Sequence, residues 1–87
     1  MTNKAEFIQG NILIKQSYEQ LYAEAENKAF NKNFKGNEDE VDEQQDEYIL
    51  SYLDDCYQAS NNVPHNSLGD PINLHQWLDW LQYGYFN

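Results

Sequence analysis

Between a break at Gly10-Asn11 and another at Lys35-Gly36-Asn37, Ile14, Tyr18, Leu21, Ala25 and Ala29 recur at three- and four-residue steps, with Tyr22 alongside. That period places them on one face of a helix, and Lys15/Glu19 and Glu24/Lys28 form pairs four residues apart on its exposed side. The spacing predicts a long amphipathic helix over roughly 12–33. Ahead of it, Phe7-Ile8-Gln9 suits either of two local structures. One is a short helix capped by Asn3 with Glu6 three residues on; the other is a hairpin arm turning at Gly10-Asn11. The helix is the expectation adopted.

Asn37 followed by Glu40 has the form of a capping box, and the acids behind it sit where the positive end of a helix dipole favours them. A second helix is therefore expected to begin near Glu38. Its inward stripe is Val41, Gln45, Tyr48, Ile49, Tyr52, Leu53 and Cys56, and it should fail at Ser60-Asn61-Asn62, whose small polar side chains compete for the backbone. Asp70-Pro71 reads as an N-cap with proline in the first turn, opening a third helix over about 71–83 that turns Leu74, Trp77, Leu78 and Leu81 inward. Three amphipathic helices must cover one another's apolar stripes, so the expected fold is all-α: a small antiparallel three-helix bundle, with a short extra N-terminal helix or turn, in a single domain over 1–87.

Charge changes this picture more than any motif. Fifteen acids face five lysines and no arginine among the 87 residues, a formal charge of -10. All five lysines lie in residues 1–35, whereas residues 36–87 hold eleven acids and no base. Such a balance repels nucleic acid and anionic membranes, which excludes a direct nucleic-acid reader and points to a basic partner. The longest aliphatic run, Ile12-Leu13-Ile14, is far too short to span a membrane, so the expected setting is cytoplasmic. The single cysteine, Cys56, has no partner for an internal disulfide, and thirteen Phe, Tyr and Trp residues supply the bulk of a small packed core.

The acids crowd into Glu38, Asp39, Glu40, Asp42, Glu43, Asp46 and Glu47, with Asp54 and Asp55 further on. At ~100° per residue, Glu40, Glu43, Glu47 and Asp54 line one outward ridge flanked by Asp39 and Asp46, opposite the stripe from Val41 to Cys56. Like charges at these spacings destabilise a helix by a few tenths of a kcal/mol per pair, so the arrangement carries a cost that a basic partner would relieve. The bland alternative is a solvated face that keeps the chain in solution.

In size, acidity, absence of arginine and ridged acidic helix, the chain resembles phage-encoded DNA-mimic inhibitors, including many anti-CRISPR proteins. The resemblance lies in composition and surface pattern and transfers no individual residue. It implies a stoichiometric inhibitor that occupies the DNA- or guide-binding cleft of a bacterial nuclease complex; host-cell cytoplasm would be its location. The chain is similar in the same loose sense to small acidic immunity proteins, which neutralise basic nuclease toxins with a comparable surface.

Aromatic side chains provide the second candidate contact. Trp77, Trp80, Tyr83, Tyr85 and Phe86 cluster at the C-terminal end, and Trp80 lies off the Leu74/Leu78/Leu81 stripe beside Asp79. Tyr57 points away from the stripe of its own helix, so Trp80 and Tyr57 are the aromatic anchors expected to add specificity to the acids. The competing reading makes these rings core, since a small bundle needs large side chains.

Metal and catalytic chemistry find little support. Asn31 to Asp42 has an EF-hand's length with Gly36 at its sixth position, but Lys35 puts a cation at the fifth, and an Asp, not a Glu, stands at the twelfth. His65, His75 and Cys56 match no zinc spacing, and no nucleophile is set beside a base. The chain reads as a non-enzymatic binding protein without cofactor. Its expected partner is a basic nucleic-acid-binding protein or nuclease complex, contacted through Asp39, Glu40, Glu43, Asp46, Glu47, Asp54, Tyr57 and Trp80. The alternative is a helical interaction or homodimerisation module, because a core this small gains from an added apolar face.

Overall fold

The computed structural model describes residues 3–86, and its fold is α+β. An antiparallel hairpin, β1 (Ala5–Gln9) and β2 (Ile12–Gln16), precedes three helices: α1 (Tyr18–Phe30), α2 (Glu38–Ala59) and α3 (Leu74–Tyr83). The hairpin overturns the all-α expectation. Residues 5–9 form a strand, and the start of the long helix expected from residue 12 is a strand as well. At the turn the positive φ falls on Gly10 alone, the type II′ pattern whose twist matches that of the flanking strands.

In the register Phe7 lies opposite Ile14 and Ala5 opposite Gln16, so one face carries Ala5, Phe7 and Ile14 onto the core. The other face carries the pairs Ile8/Leu13 and Glu6/Lys15, the last an ion pair at 3.4 Å. Period two and helical spacing are hard to tell apart here, because Ile14 points inward in either geometry.

Helix α1 starts at Tyr18 and not at Ile12. Ser17 is its N-cap, with a reciprocal box in which the Ser17 hydroxyl accepts from Gln20 N and the Gln20 carboxamide accepts from Ser17 N. Leu21, Ala25 and Ala29 form its fully buried face, and α1 packs chiefly against α2. Lys28 lies over Tyr52 and Lys32 over Tyr48, so α1 advances as α2 retreats and the pair is antiparallel.

Helix α2 begins at Glu38, as the capping pattern predicts, but the box is only half made. Asn37 Oδ1 accepts from Glu40 N, whereas the Glu40 carboxylate accepts from the Asn37 side-chain amide at 3.3 Å. The helix stops at Ala59, and the polar residues beyond it stitch the chain to the hairpin. Asn61 N donates to Glu6 O, Glu6 N donates to Asn62 Oδ1, and Asn62 Nδ2 donates to Lys4 O.

The third helix begins later than predicted, at Leu74. Asp70-Pro71 is not its cap: Pro71 pairs with His65 in an isolated bridge, and Asp70 O accepts from Asn66 N within a closed turn. The cap is Asn73, which shares a full capping box with Gln76. Trp77, Leu81 and the preceding Ile72 are completely buried and complete the core with Leu21, Leu53 and Ala5. At the far end Gly84, with φ 86°, closes the helix by donating its N–H to Trp80 O, a conformation other residues rarely adopt.

Candidate functional site

The outward face of α2 is built by a division of labour along one helix. Ile49, Leu53 and Cys56 are buried, and Val41, Gln45, Tyr48 and Tyr52 are partly buried, so the predicted stripe faces inward. Glu38, Asp39, Glu40, Asp42, Glu43, Asp46, Glu47 and Asp55 are consequently exposed, and Asp54 is half-buried. At 1.5 Å per residue the 22-residue helix is about 33 Å long.

No ion pair reaches these nine acids among the described residues, where Lys15–Glu6 is the single salt bridge. Lys28 and Lys32 sit over tyrosine rings of α2 and not against its carboxylates. Lys35 lends α2 a backbone carbonyl, which accepts from Gln44 Nε2 at 2.9 Å. The face is therefore negative without internal neutralisation within the described residues.

Its continuity differs from the sequence reading. Glu40, Glu43 and Glu47 do share the outward face with Asp39 and Asp46, but Leu50, 49 % exposed, and Ser51 separate them from Asp54. The ridge is thus a ten-residue acidic block followed by a gap of about 10 Å and a terminal pair, Asp54-Asp55.

The two aromatic anchors are placed differently from the acids. Tyr57 does not point away from the core: its hydroxyl donates to Ile72 O and its ring meets Trp77 edge-on at 5.6 Å. It therefore joins α2 to α3. Trp80 is half-buried against the core, and its carbonyl accepts from Asn3 Nδ2 at 3.2 Å as well as from Gly84 N. Exposed aromatic surface lies instead on Phe30 at the end of α1 and on Tyr83 and Tyr85, the two tyrosine rings standing 6.1 Å apart beside a small cleft shared with Asp79 and Phe86. The clue to this lay in the sequence: Tyr83 is the last residue before the helix-ending Gly84 and Tyr85 lies beyond it, where neither can be packed from both sides.

A second cleft, about 220 Å³, opens between β1 and the last turns of α2, lined by Phe7, Ile8, Tyr52 and Cys56 among others. Burial pushes the Cys56 thiol and the Tyr52 hydroxyl up from their ordinary values, and neighbouring Glu24 adds to both shifts. Burial therefore works against the thiolate, which is the nucleophilic form of Cys56. Among the described residues no group of three or more His, Cys, Asp or Glu side chains is placed to hold a metal ion, and no helix is long and apolar enough to cross a membrane.

No family model matches the chain, and neither a curated protein nor a solved structure matches it.

Proposed function

We propose that this protein is a binding inhibitor that presents the acids of α2 as a nucleic-acid mimic to the Lys/Arg-lined site of a nuclease or other nucleic-acid-binding complex, in the manner of phage-encoded anti-CRISPR proteins. The observation that carries this reading is the set of nine acids between Glu38 and Asp55 with no lysine among them and no ion pair within the described residues. Along the ridge Glu40, Glu43 and Glu47 rise about 5 Å from one to the next, the same few-ångström scale as the ~3.4 Å charge spacing of a single nucleic-acid strand. Glu40, Glu43 and Glu47, with Asp39 and Asp46, form the leading contact; Asp54 extends it. Excluding the natural ligand by competition needs no catalytic group. Electrostatic attraction would steer association and make it sensitive to salt.

The exposed Tyr83 and Tyr85 favour a second reading, a helical interaction module anchored by its aromatic end, with the acids serving solution behaviour alone. An immunity protein for a basic nuclease toxin would use the acid face in the same way as the first reading.

The test is capture of partners from a nuclease-treated bacterial lysate at low and high salt, using the wild type and Glu43→Lys/Glu47→Lys side by side. A basic nucleic-acid-binding protein retained by the wild type, released by salt and lost from the double variant supports the mimic. A partner retained equally by both proteins, and lost instead from Tyr83→Ala/Tyr85→Ala, overturns it.

A further inference from the structure

The hairpin carries a cluster of aliphatic side chains that its own fold leaves uncovered. Ile8, 64 % exposed, and Leu13, 52 % exposed, form a cross-strand pair on one face near the turn of the two-stranded sheet, and Ile12, 67 % exposed, lies beside them on the opposite face. Scattered exposed leucines are ordinary, but an exposed cross-strand aliphatic pair on an unfinished sheet marks an interaction surface.

The open edge can be identified from the hydrogen bonds. On β1, Glu6 exchanges main-chain bonds with Asn61 and the Asn62 side chain, so the main chain at Glu6 faces away from β2 and the loop after α2 covers that edge. Lys15, opposite Glu6, and Leu13, opposite Ile8, occupy the same class of position on β2. Their N–H and C=O groups therefore face outward, and among the described residues no main-chain hydrogen bond from another element reaches them.

We propose that β2 pairs antiparallel with β2 of a second copy, with Leu13 on the two-fold axis, to form a four-stranded sheet. Charge selects a second copy for this surface. Residues 3–17 carry Lys4 and Lys15 against Glu6 alone, so here two chains of net charge -10 can meet without setting acid against acid. A basic partner finds its complement on α2 and none on the hairpin.

The register follows from the pleat. Only residues with outward main chains can form the hydrogen-bonded pairs, which leaves Leu13 opposite Leu13, Leu13 opposite Lys15, or Lys15 opposite Lys15 of the other copy. The last sets two ammonium groups face to face, and the second places an ammonium against a leucine. Pairing Leu13 with itself sets Lys15 opposite Asn11 and gives an unbroken row of Ile8, Leu13, Leu13 and Ile8 across one face. It also lays Ile12 against Ile14 of the other copy on the opposite face, covering all three exposed aliphatics.

Sedimentation velocity over a concentration series, with mild oxidation of a Leu13→Cys variant, tests this. The wild type is expected to dimerise more tightly as salt rises, because screening reduces repulsion between like-charged copies, the reverse of its behaviour toward a basic partner. Leu13→Lys should raise the dimer dissociation constant at least tenfold while leaving the circular dichroism spectrum unchanged. Leu13→Cys should oxidise to a disulfide-linked dimer, since Cα atoms of a hydrogen-bonded pair stand about 5.5 Å apart, within disulfide reach. The wild type, whose Cys56 is buried, is the control and should not cross-link. A wild type that stays monomeric at about 1 mM protein overturns the proposal. Cross-linking that is stronger for Lys15→Cys than for Leu13→Cys overturns the register.

Discussion

The ammonium of Lys32 lies over the ring of Tyr48, 4.9 Å from its centroid, although α2 offers carboxylates along the neighbouring face. Lys28 stands in the same relation to Tyr52 at 5.8 Å. The antiparallel α1–α2 pair thus uses its cations to join the helices through tyrosine faces, and the acid face is left without them. Each contact contributes about 0.5–1 kcal/mol at a partly exposed site. Lys32→Gln is expected to lower stability by that amount in a urea titration without altering affinity for a basic partner. Unchanged stability together with a gain in affinity would instead mean that Lys32 had been shielding the acids.

Tyr57→Phe separates a structural tyrosine from a contact tyrosine. The hydroxyl donates to the carbonyl of Ile72, a residue with no exposed surface, so its removal leaves a buried acceptor unmet. The expected loss is about 1–3 kcal/mol in a denaturant titration, with binding unchanged at temperatures where the variant stays folded. A variant as stable as the wild type that binds more weakly would return Tyr57 to the contact surface.

The alkaline limb of the stability profile should be steep. Burial first, then Cys56 and Glu24, raise the Tyr52 hydroxyl above its ordinary value of 10.0; burial likewise raises Cys56 above 9.0. Both groups hold their protons more tightly folded than unfolded, so their contribution is intact below about pH 9 and is lost as pH climbs beyond it. Tyr52→Phe should flatten the part of that decline that lies above about pH 10, followed by chemical denaturation at each pH. A variant that tracks the wild-type slope would exclude Tyr52 as the source.

Helix α2 was legible because its signals agree: Asn37 and Glu40 mark its start, Ile49, Leu53 and Cys56 keep one period, and Ser60 to Asn62 end it. The N-terminal third misled because Ile14, Tyr18 and Leu21 fit a helical step although a strand ends and a helix begins between the first two. Ser17-x-x-Gln20 carried the boundary, as Asn73-x-x-Gln76 carried that of α3. Asp70-Pro71 has the local form of a helix start, but Ile72 N donates to Pro64 O, and that bond back across the loop delays the helix.

The acid face could be read from composition and period alone, since exposure of one side follows from burial of the other. The interruption at Leu50 was visible in the sequence as well, as an aliphatic residue in the outward register. Tyr57 could not be placed in this way. On the wheel it borders the exposed side, and its burial comes from α3 and the Ile72 carbonyl, which only the tertiary fold brings to it.

Asn3 donates across 77 residues to the Trp80 carbonyl, and β1 is stitched to Asn61 and Asn62 by bonds spanning more than fifty positions. Loop closures of that size come late in folding, after local helices have formed. The hairpin, although it precedes these partners along the chain, is therefore fixed in place only when the loop after α2 and the end of α3 have come to it.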